Sequence, residues 1–271
     1  MTEHSAFALQ HILSHKQLQS VYQPIISLQQ RCIHAWEALS RGPHDSALHS
    51  PIELFSAARE HGQLVELEKL SREKSISGFS QQGLPGSLFL NISPDVLLQP
   101  NHAPGVTLDL LQRFGLQPTQ VVIELTEQHP IHDFSLMRDA ISHYRTMGFR
   151  IALDDLGSGY SGLRAWSELR PDFVKIDRHF VQQCNIDKVK QDFLHFICNI
   201  AKALDTEVIA EGVETSEEME TLKDLGLNYL QGYYFAYPKA QPDAVPLDEL
   251  LLSSDEPNES NWFTKQLARI L

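Results

Sequence analysis

Two adjacent acids, Asp154 and Asp155, end the run RIALDD and are followed by the turn-forming Gly157-Ser158-Gly159. Neighbouring carboxylates at the mouth of a buried strand repel each other and lose hydration, a cost that a divalent cation relieves. Alone, the pair reads more readily as a solvated acidic loop after a strand. Other short apolar runs carry polar residues in the same place: Glu37 in AWEAL, Asn91 ending LFLN, Glu124 ending VVIE, Lys175 in FVKID, Glu211 ending VIAE and Gln231 after NYL. Carboxylate and amide oxygens suit hard cations such as Mg²⁺ or Mn²⁺ rather than thiolate-seeking metals. Five carboxylates exceed what one such ion recruits, which favours two ions. Two metals ~3.5–4 Å apart stabilise both the attacking and the leaving oxygen of an in-line displacement at phosphorus. Lys175, the one cation of the set, is placed to orient the attacking water or stabilise developing charge. The competing reading is an ion pair with Asp177, two residues on.

Such residues become neighbours only if the runs that carry them are strands of one closed sheet. VYQPIIS (Val21 to Ser27) and CIHAWEALS (Cys32 to Ser40) are separated by four residues, too few for a parallel crossover, so they form an antiparallel hairpin. Further strands are predicted at Leu88–Ile92, Val121–Leu125, Ile151–Asp154, Phe173–Ile176, Val208–Ala210 and Tyr229–Tyr233. Helical periodicity covers residues 5–18, 52–60, 64–79, 106–114, 134–147, 160–169, 188–204 and 216–225. Strand-helix alternation implies parallel βαβ units. The hairpin brings the total to eight strands, as in a (β/α)8 TIM-type barrel, here modified by one antiparallel strand. The alternative, an open doubly wound sheet, lacks its G-x-G-x-x-G signature, and no P-loop occurs. In a barrel the C-terminal strand ends share one rim. Period-2 alternation then puts Phe89, Val122, Ala152, Phe173 and Ile209, each two residues before a polar position, inside the barrel.

The chain has 271 residues, 42% hydrophobic and 21% charged, a soluble globular composition. A formal net charge of −13 leaves no basic stripe for polymeric nucleic acid. No run reaches the ~18–20 apolar residues of a membrane span and no leader pattern is present, so a cytoplasmic protein is expected. Cys32, Cys184 and Cys198 form no disulfide framework or thiolate zinc site. His11 and His15, at i and i+4, lack a third ligand. Residues 1–240 read as one barrel domain with an N-terminal helix. Residues 241–271 read as a helical extension or a linker to a further domain: a short leucine-rich helix, a polar acidic link, then an amphipathic segment with Trp262, Phe263, Leu267 and Ile270. The apolar face of that segment packs on the barrel, leads to another domain or makes a dimer contact.

Taken together, EALSR (Glu37–Arg41), LNIS (Leu90–Ser93), ELTE (Glu124–Glu127), DDLGSGYSGL (Asp154–Leu163), KID (Lys175–Asp177), EGVET (Glu211–Thr215) and QGYYFAYP (Gln231–Pro238) resemble the EAL-domain family of bacterial cyclic di-GMP phosphodiesterases. The resemblance runs from YQPI at Tyr22 to Pro238. It implies a barrel with one antiparallel strand and hydrolysis of one phosphodiester of cyclic di-GMP to linear pGpG. It implies that Glu37, Asn91, Glu124 and Asp154 ligate one metal and that Asp154, Asp155 and Glu211 ligate a second, with Asp154 shared. Lys175, Glu37 and Glu211 are the implied catalytic residues, Lys175 contacting the nucleophilic water. Gln23, Leu39, Arg41 and Gln231 are the implied substrate contacts, and Glu214 steadies the loop after Asp155. A homodimer and a regulatory domain outside this chain are further expectations. Leu156 stands where the family more often has Phe, which touches loop packing and dimer coupling rather than chemistry. The polar run Arg41–Pro51 either overhangs the substrate or is a surface loop. The alternative function is a receptor that binds cyclic di-GMP without cleaving it. Such degeneration is expected to show as lost ligands, and here every ligand position and Lys175 are filled.

Overall fold

A computed structural model describes residues 2–98, 105–126, 133–157 and 162–252. Eight strands close in sequence order into a barrel: β1 (Gln19–Ser27), β2 (Cys32–Arg41), β3 (Ser87–Ile92), β4 (Val121–Leu125), β5 (Arg150–Leu156), β6 (Phe173–Ile176), β7 (Glu207–Ala210) and β8 (Tyr229–Leu230). The four-residue link Leu28–Arg31 turns β1 back onto β2, with Arg31 in the left-handed region at φ +51°. β1 is antiparallel to both neighbours, Gln23 lying opposite Glu37 and Ile26 opposite Leu230, while β2 to β8 pair in parallel. One strand therefore runs against seven, as the hairpin spacing requires.

Helices α1 (Thr2–Ser14), α2 (Pro51–Glu60), α3 (Leu64–Gln82), α4 (Pro94–Leu97), α5 (Gly105–Phe114), α6 (Phe134–Thr146), α7 (Gly162–Leu169), α8 (Arg178–Val181), α9 (Lys188–Leu204), α10 (Ser216–Asp224) and α11 (Leu247–Leu252) accompany the sheet. Local chemistry starts several of them. Asp133 accepts from the N–H groups of Ser135 and Leu136, Asp187 from those of Val189 and Lys190, and Thr215 and Glu218 form a reciprocal capping box. The first helix stops at Ser14 rather than 18 because Lys16 adopts a left-handed conformation. β8 ends at Leu230 rather than Tyr233 because the chain turns at Gly232, where a Cβ would lie 2.0 Å from the Val213 carbonyl oxygen. The predicted start of α7 at Tyr160, the Gly-Ser-Gly turn beyond Gly157 and the amphipathic segment after Asn261 lie outside the described residues.

The apolar residues sort into three cores. Outward-facing strand residues such as Leu88, Ile123, Leu153 and Val174 pack beneath the helices. A satellite core joins α1, α2 and α3 through Leu9, Ile12, Leu54, Ala58 and Leu67, and takes in Leu48 and Val96 from the exits of β2 and β3. The barrel interior is filled by Ile25, Ala35, Phe89, Val122, Ala152, Phe173 and Ile209, with Tyr229 against them. All five interior residues expected from alternation are in this layer. At roughly 1.5–3 kcal/mol per large apolar side chain buried, the layer makes the barrel a packed core with a closed floor.

Candidate metal and active site

The functional layer lies directly on that floor. Two residues along from each interior residue, where the pleat again points inward, stand Glu37, Asn91, Glu124, Asp154, Lys175, Glu211 and Gln231. On reversed β1 the same step leads backwards from Ile25 to Gln23. Every strand thus contributes one polar side chain to one ring. Glu124 and Lys175 are fully buried, whereas the Asp154 and Glu211 side chains keep 13% and 18% exposure, so the ring opens to solvent on the β5 and β7 side.

Strand β5 departs from regular pairing at the acidic pair. Leu153 pairs with Val174 and Leu156 with Ile176, so Asp154 and Asp155 together oppose Lys175 alone. This is a β-bulge, and Asp155 carries it at φ +55°, a conformation that aspartate tolerates better than most residues. In an unbroken strand Leu156 would point into the polar ring. The extra residue returns it to the outer core, where it is 3% exposed.

Lys175 is the hub. Its Nζ lies 2.5 Å from Glu211 Oε1, 3.2 Å from Glu37 Oε2 and 3.3 Å from Asp154 Oδ1, and it donates to Glu124 Oε1. Asp177 is not its partner; that carboxylate caps α8 by accepting from the His179 N–H at 2.8 Å. Glu37 also accepts from Asn91 Nδ2 (3.2 Å) and Gln231 Nε2 (2.7 Å). Gln231 Nε2 reaches Gln23 Oε1 at 3.2 Å, and Gln23 donates to the Ala236 carbonyl. Leu39 and Arg41 continue the inward face of β2 beyond Glu37 towards the mouth. Arg41 is half-buried, donates to its own Ser40 carbonyl at 2.8 Å, and feels the fields of Tyr233 and Glu37.

The electrostatics follow from five carboxylates sharing one cation. Burial, then the charges of Asp154 and Glu37, raise Glu124 and Glu211 well above the usual carboxylate range in spite of Lys175. Burial and the adjacent Asp154 push Asp155 up to about 7. Burial would likewise raise Glu37, but Lys175 and the amides of Gln231 and Asn91 more than offset it, and its pKa is lowered. Burial would neutralise Lys175, yet the surrounding carboxylates hold it well above the ordinary lysine value. Without a further cation, part of the acidic charge must be carried as protons.

The ring fits hard divalent cations. Glu124, Asp154 and Glu211 each offer an oxygen within 4.8 Å of the others. Glu124 Oε2 and Asp154 Oδ1 are buried and accept no hydrogen bond, although Asp154 Oδ1 pairs electrostatically with Lys175. Buried carboxylate oxygens without donors are costly, and an oxygen-seeking cation satisfies them. Glu37 and Asn91 border this trio through Lys175 and Glu37 respectively, and Asp155 adjoins it across the bulge.

Glu214 stands apart, accepting from Gln182 Nε2 at 3.0 Å and lying 3.7 Å from Arg178. It reaches the segment after Asp155 through α8, whose Phe180 ring packs against Gly157 so closely that a Cβ there would lie 2.3 Å away. Two residues escaped sequence reasoning. Gly232 has no local signal, because the contact it permits is with a distant strand exit. Glu218 had one: T-S-E-E is a capping-box pattern.

Comparison with known proteins agrees with this architecture. Residues 7–238 match the EAL domain family. Probable cyclic di-GMP phosphodiesterase PdeB of Escherichia coli is 32% identical over 238 residues, covering 86% of this chain and 45% of PdeB. A standalone EAL protein of Vibrio cholerae, solved with c-di-GMP bound, superposes with a TM-score of 0.77 at 28% identity, covering 86% of this chain and 97% of its own. Klebsiella pneumoniae BlrP1, solved as a manganese/cy-diGMP complex, gives 0.75 at 32% identity, over 82% of this chain and 56% of its own. The chain spans less than half the length of the curated relatives it matches. A match that takes in every strand of the barrel and every residue of the polar ring leaves one conclusion: this chain belongs to the EAL domain family.

Proposed function

We propose that the protein hydrolyses cyclic di-GMP to linear pGpG with two Mg²⁺ or Mn²⁺ ions. The observation that carries this reading is the convergence of Glu124, Asp154 and Glu211 within 4.8 Å, around Lys175, on the floor of an open barrel mouth. Glu37, Asn91, Glu124 and Asp154 would hold one ion; Asp154, Asp155 and Glu211 the other. When bound, the ions supply Lewis acidity, stabilising charge on phosphoryl oxygens and making a water more acidic. The chain's own residues do the rest. Lys175, held charged by its carboxylates, donates to the attacking water and fixes its direction. Glu211, at the open edge and 2.5 Å from Lys175, and Glu37, 3.2 Å from Lys175 and bonded by Gln231 and Asn91, act as carboxylates that hold the Lys175 ammonium in that orientation. Arg41 at the mouth suits a phosphate oxygen, and Gln23, Leu39 and Gln231 line the approach.

In this reading residues 1–240 are the catalytic unit and 241–271 an extension. The protein acts in the cytoplasm as a homodimer under a regulatory domain outside this chain. The regulatory domain is supported by the length of the curated relatives, which carry as much chain again; among the described residues no helix is long and apolar enough to cross a membrane. Incubation with cyclic di-GMP and Mn²⁺ should yield pGpG, and Glu37→Ala or Asp154→Ala should abolish it while the fold survives. Tight binding of cyclic di-GMP without turnover would instead make the protein a receptor.

A further inference from the structure

The exits of β6 and β7 lead away from Lys175 and Glu211, and their separation sets how those two side chains meet. Glu218, in the first turn of α10, is 4% exposed and belongs to neither exit. Its Oε2 accepts from the N–H groups of Glu214 (2.8 Å) and Thr215 (3.2 Å), while its Oε1 accepts from the N–H of Gln183 (2.7 Å). A capping box explains the Thr215 contact and the reciprocal bond from the Glu218 N–H to Thr215 Oγ1 (3.2 Å). It does not explain Gln183, which lies 35 residues earlier on the β6 exit. Three backbone donors on one buried carboxylate are charge-assisted bonds, each stronger than a neutral one.

The joined segments are in contact along their length. A Cβ on Gly212, whose φ is +74°, would lie 2.5 Å from Arg178 Cβ. Gln182 bonds Glu214 from the same side, and the Val213 N–H continues the contact to the Gln231 carbonyl at 3.1 Å. Glu211 is the residue next to Gly212 and meets Lys175 at 2.5 Å.

We propose that Glu218 is a positioning residue: its carboxylate staples the β6 and β7 exits together and so fixes Glu211 against Lys175 and Asp154. The proposal rests on the metal-site reading above. A carboxylate suits the task because all three neighbours are donors; a glutamine would turn its own N–H₂ on one of them.

The test compares Glu218→Ala and Glu218→Gln with Thr215→Ala, which weakens the same helix start but leaves the staple. Mn²⁺ affinity without substrate, read by EPR or calorimetry on the whole chain, should fall tenfold or more in Glu218→Ala, the range typical of outer-sphere partners. It should fall less in Glu218→Gln, which serves alone if the alanine variant does not fold, and stay within twofold of wild type in Thr215→Ala. Equal affinities in all variants, or losses that simply track Tm, would overturn the proposal. Failure of the wild type to bind Mn²⁺ would overturn the metal reading instead. Amide exchange then still decides on the staple: Glu218→Ala should speed exchange at both Gln183 and Glu214, and acceleration confined to α10 would refute it.

Discussion

Replacing Lys175 with methionine keeps side-chain length and removes the only cation of the ring. Its Nζ contacts Glu124 and lies 2.5, 3.2 and 3.3 Å from Glu211, Glu37 and Asp154, and the side chain is fully buried. Removing one partner of a buried ion pair costs ~3–5 kcal/mol, because the charge left behind is uncompensated. Here the orphaned carboxylates have a second recourse. Glu124 and Glu211 already bind protons more tightly than ordinary carboxylates, and with Lys175 gone each rises further. The cost is therefore largest at alkaline pH and small in acid. For metal-free protein, thermal unfolding at pH 8 should put Lys175→Met roughly 10 °C below wild type, from ~2–4 °C per kcal/mol in a chain of this size. At pH 5.5 most of that deficit should vanish, and saturating Mn²⁺ should reduce it at pH 8. In turnover assays kcat should fall at least ~10²-fold, the usual contribution of a preorganised hydrogen-bond donor, with KM little changed because Arg41, the proposed phosphate contact, is untouched. An identical Tm deficit at both pH values would refute the shared-proton argument, and a kcat within threefold of wild type would remove Lys175 from the chemistry.

Three further outcomes follow from the same geometry. Asp155→Ala should lower Mn²⁺ stoichiometry from two to one while leaving the barrel folded, and unchanged stoichiometry would exclude Asp155 as a ligand. The metal-free wild type should lose stability as pH rises: Asp155 is raised from 3.8 to about 7, so the folded state binds more protons between those values, and that stabilisation, full below pH ~4, is gone above ~7. Glu124 and Glu211 act in the same direction, so Tm in EDTA should fall from pH 5 to pH 8 and Mn²⁺ should reverse the trend; a rising Tm would contradict the assigned shifts. Gly232→Ala should cost several kcal/mol, since its Cβ would meet backbone at 2.0 Å, and should lower turnover through Gln231 next to it; wild-type Tm and kcat would show that the Val213 contact yields.

Much of this protein was legible along the chain because two of its rules are local. A four-residue link cannot cross a sheet, so the β1–β2 hairpin, and with it the one reversed strand, follows from spacing alone. The pleat repeats every two residues, so an apolar residue two positions before each polar one marked Phe89, Val122, Ala152, Phe173 and Ile209 as interior and aimed Asn91, Glu124, Asp154, Lys175 and Glu211 at a common mouth. The helix starts at Asp133, Asp187 and Thr215 are chemistry of neighbouring residues and are equally visible. What alternation alone would get wrong is the bulge. A regular strand puts Asp154 and Leu156 on one face and Asp155 on the other, and only pairing against β6, two residues against one, brings both acids to the rim and returns Leu156 to the outer core. Distance along the chain is also a poor guide to the partners of Lys175. Asp177 is two residues away and goes to cap α8, while the true partners, 21 to 138 residues away, are adjacent only because the barrel closes. The sequence by itself thus determined which residues face inward and at what height in the barrel. Closure of the barrel decided which of them share a charge, because electrostatic coupling depends on distance through space and only the tertiary fold sets that distance.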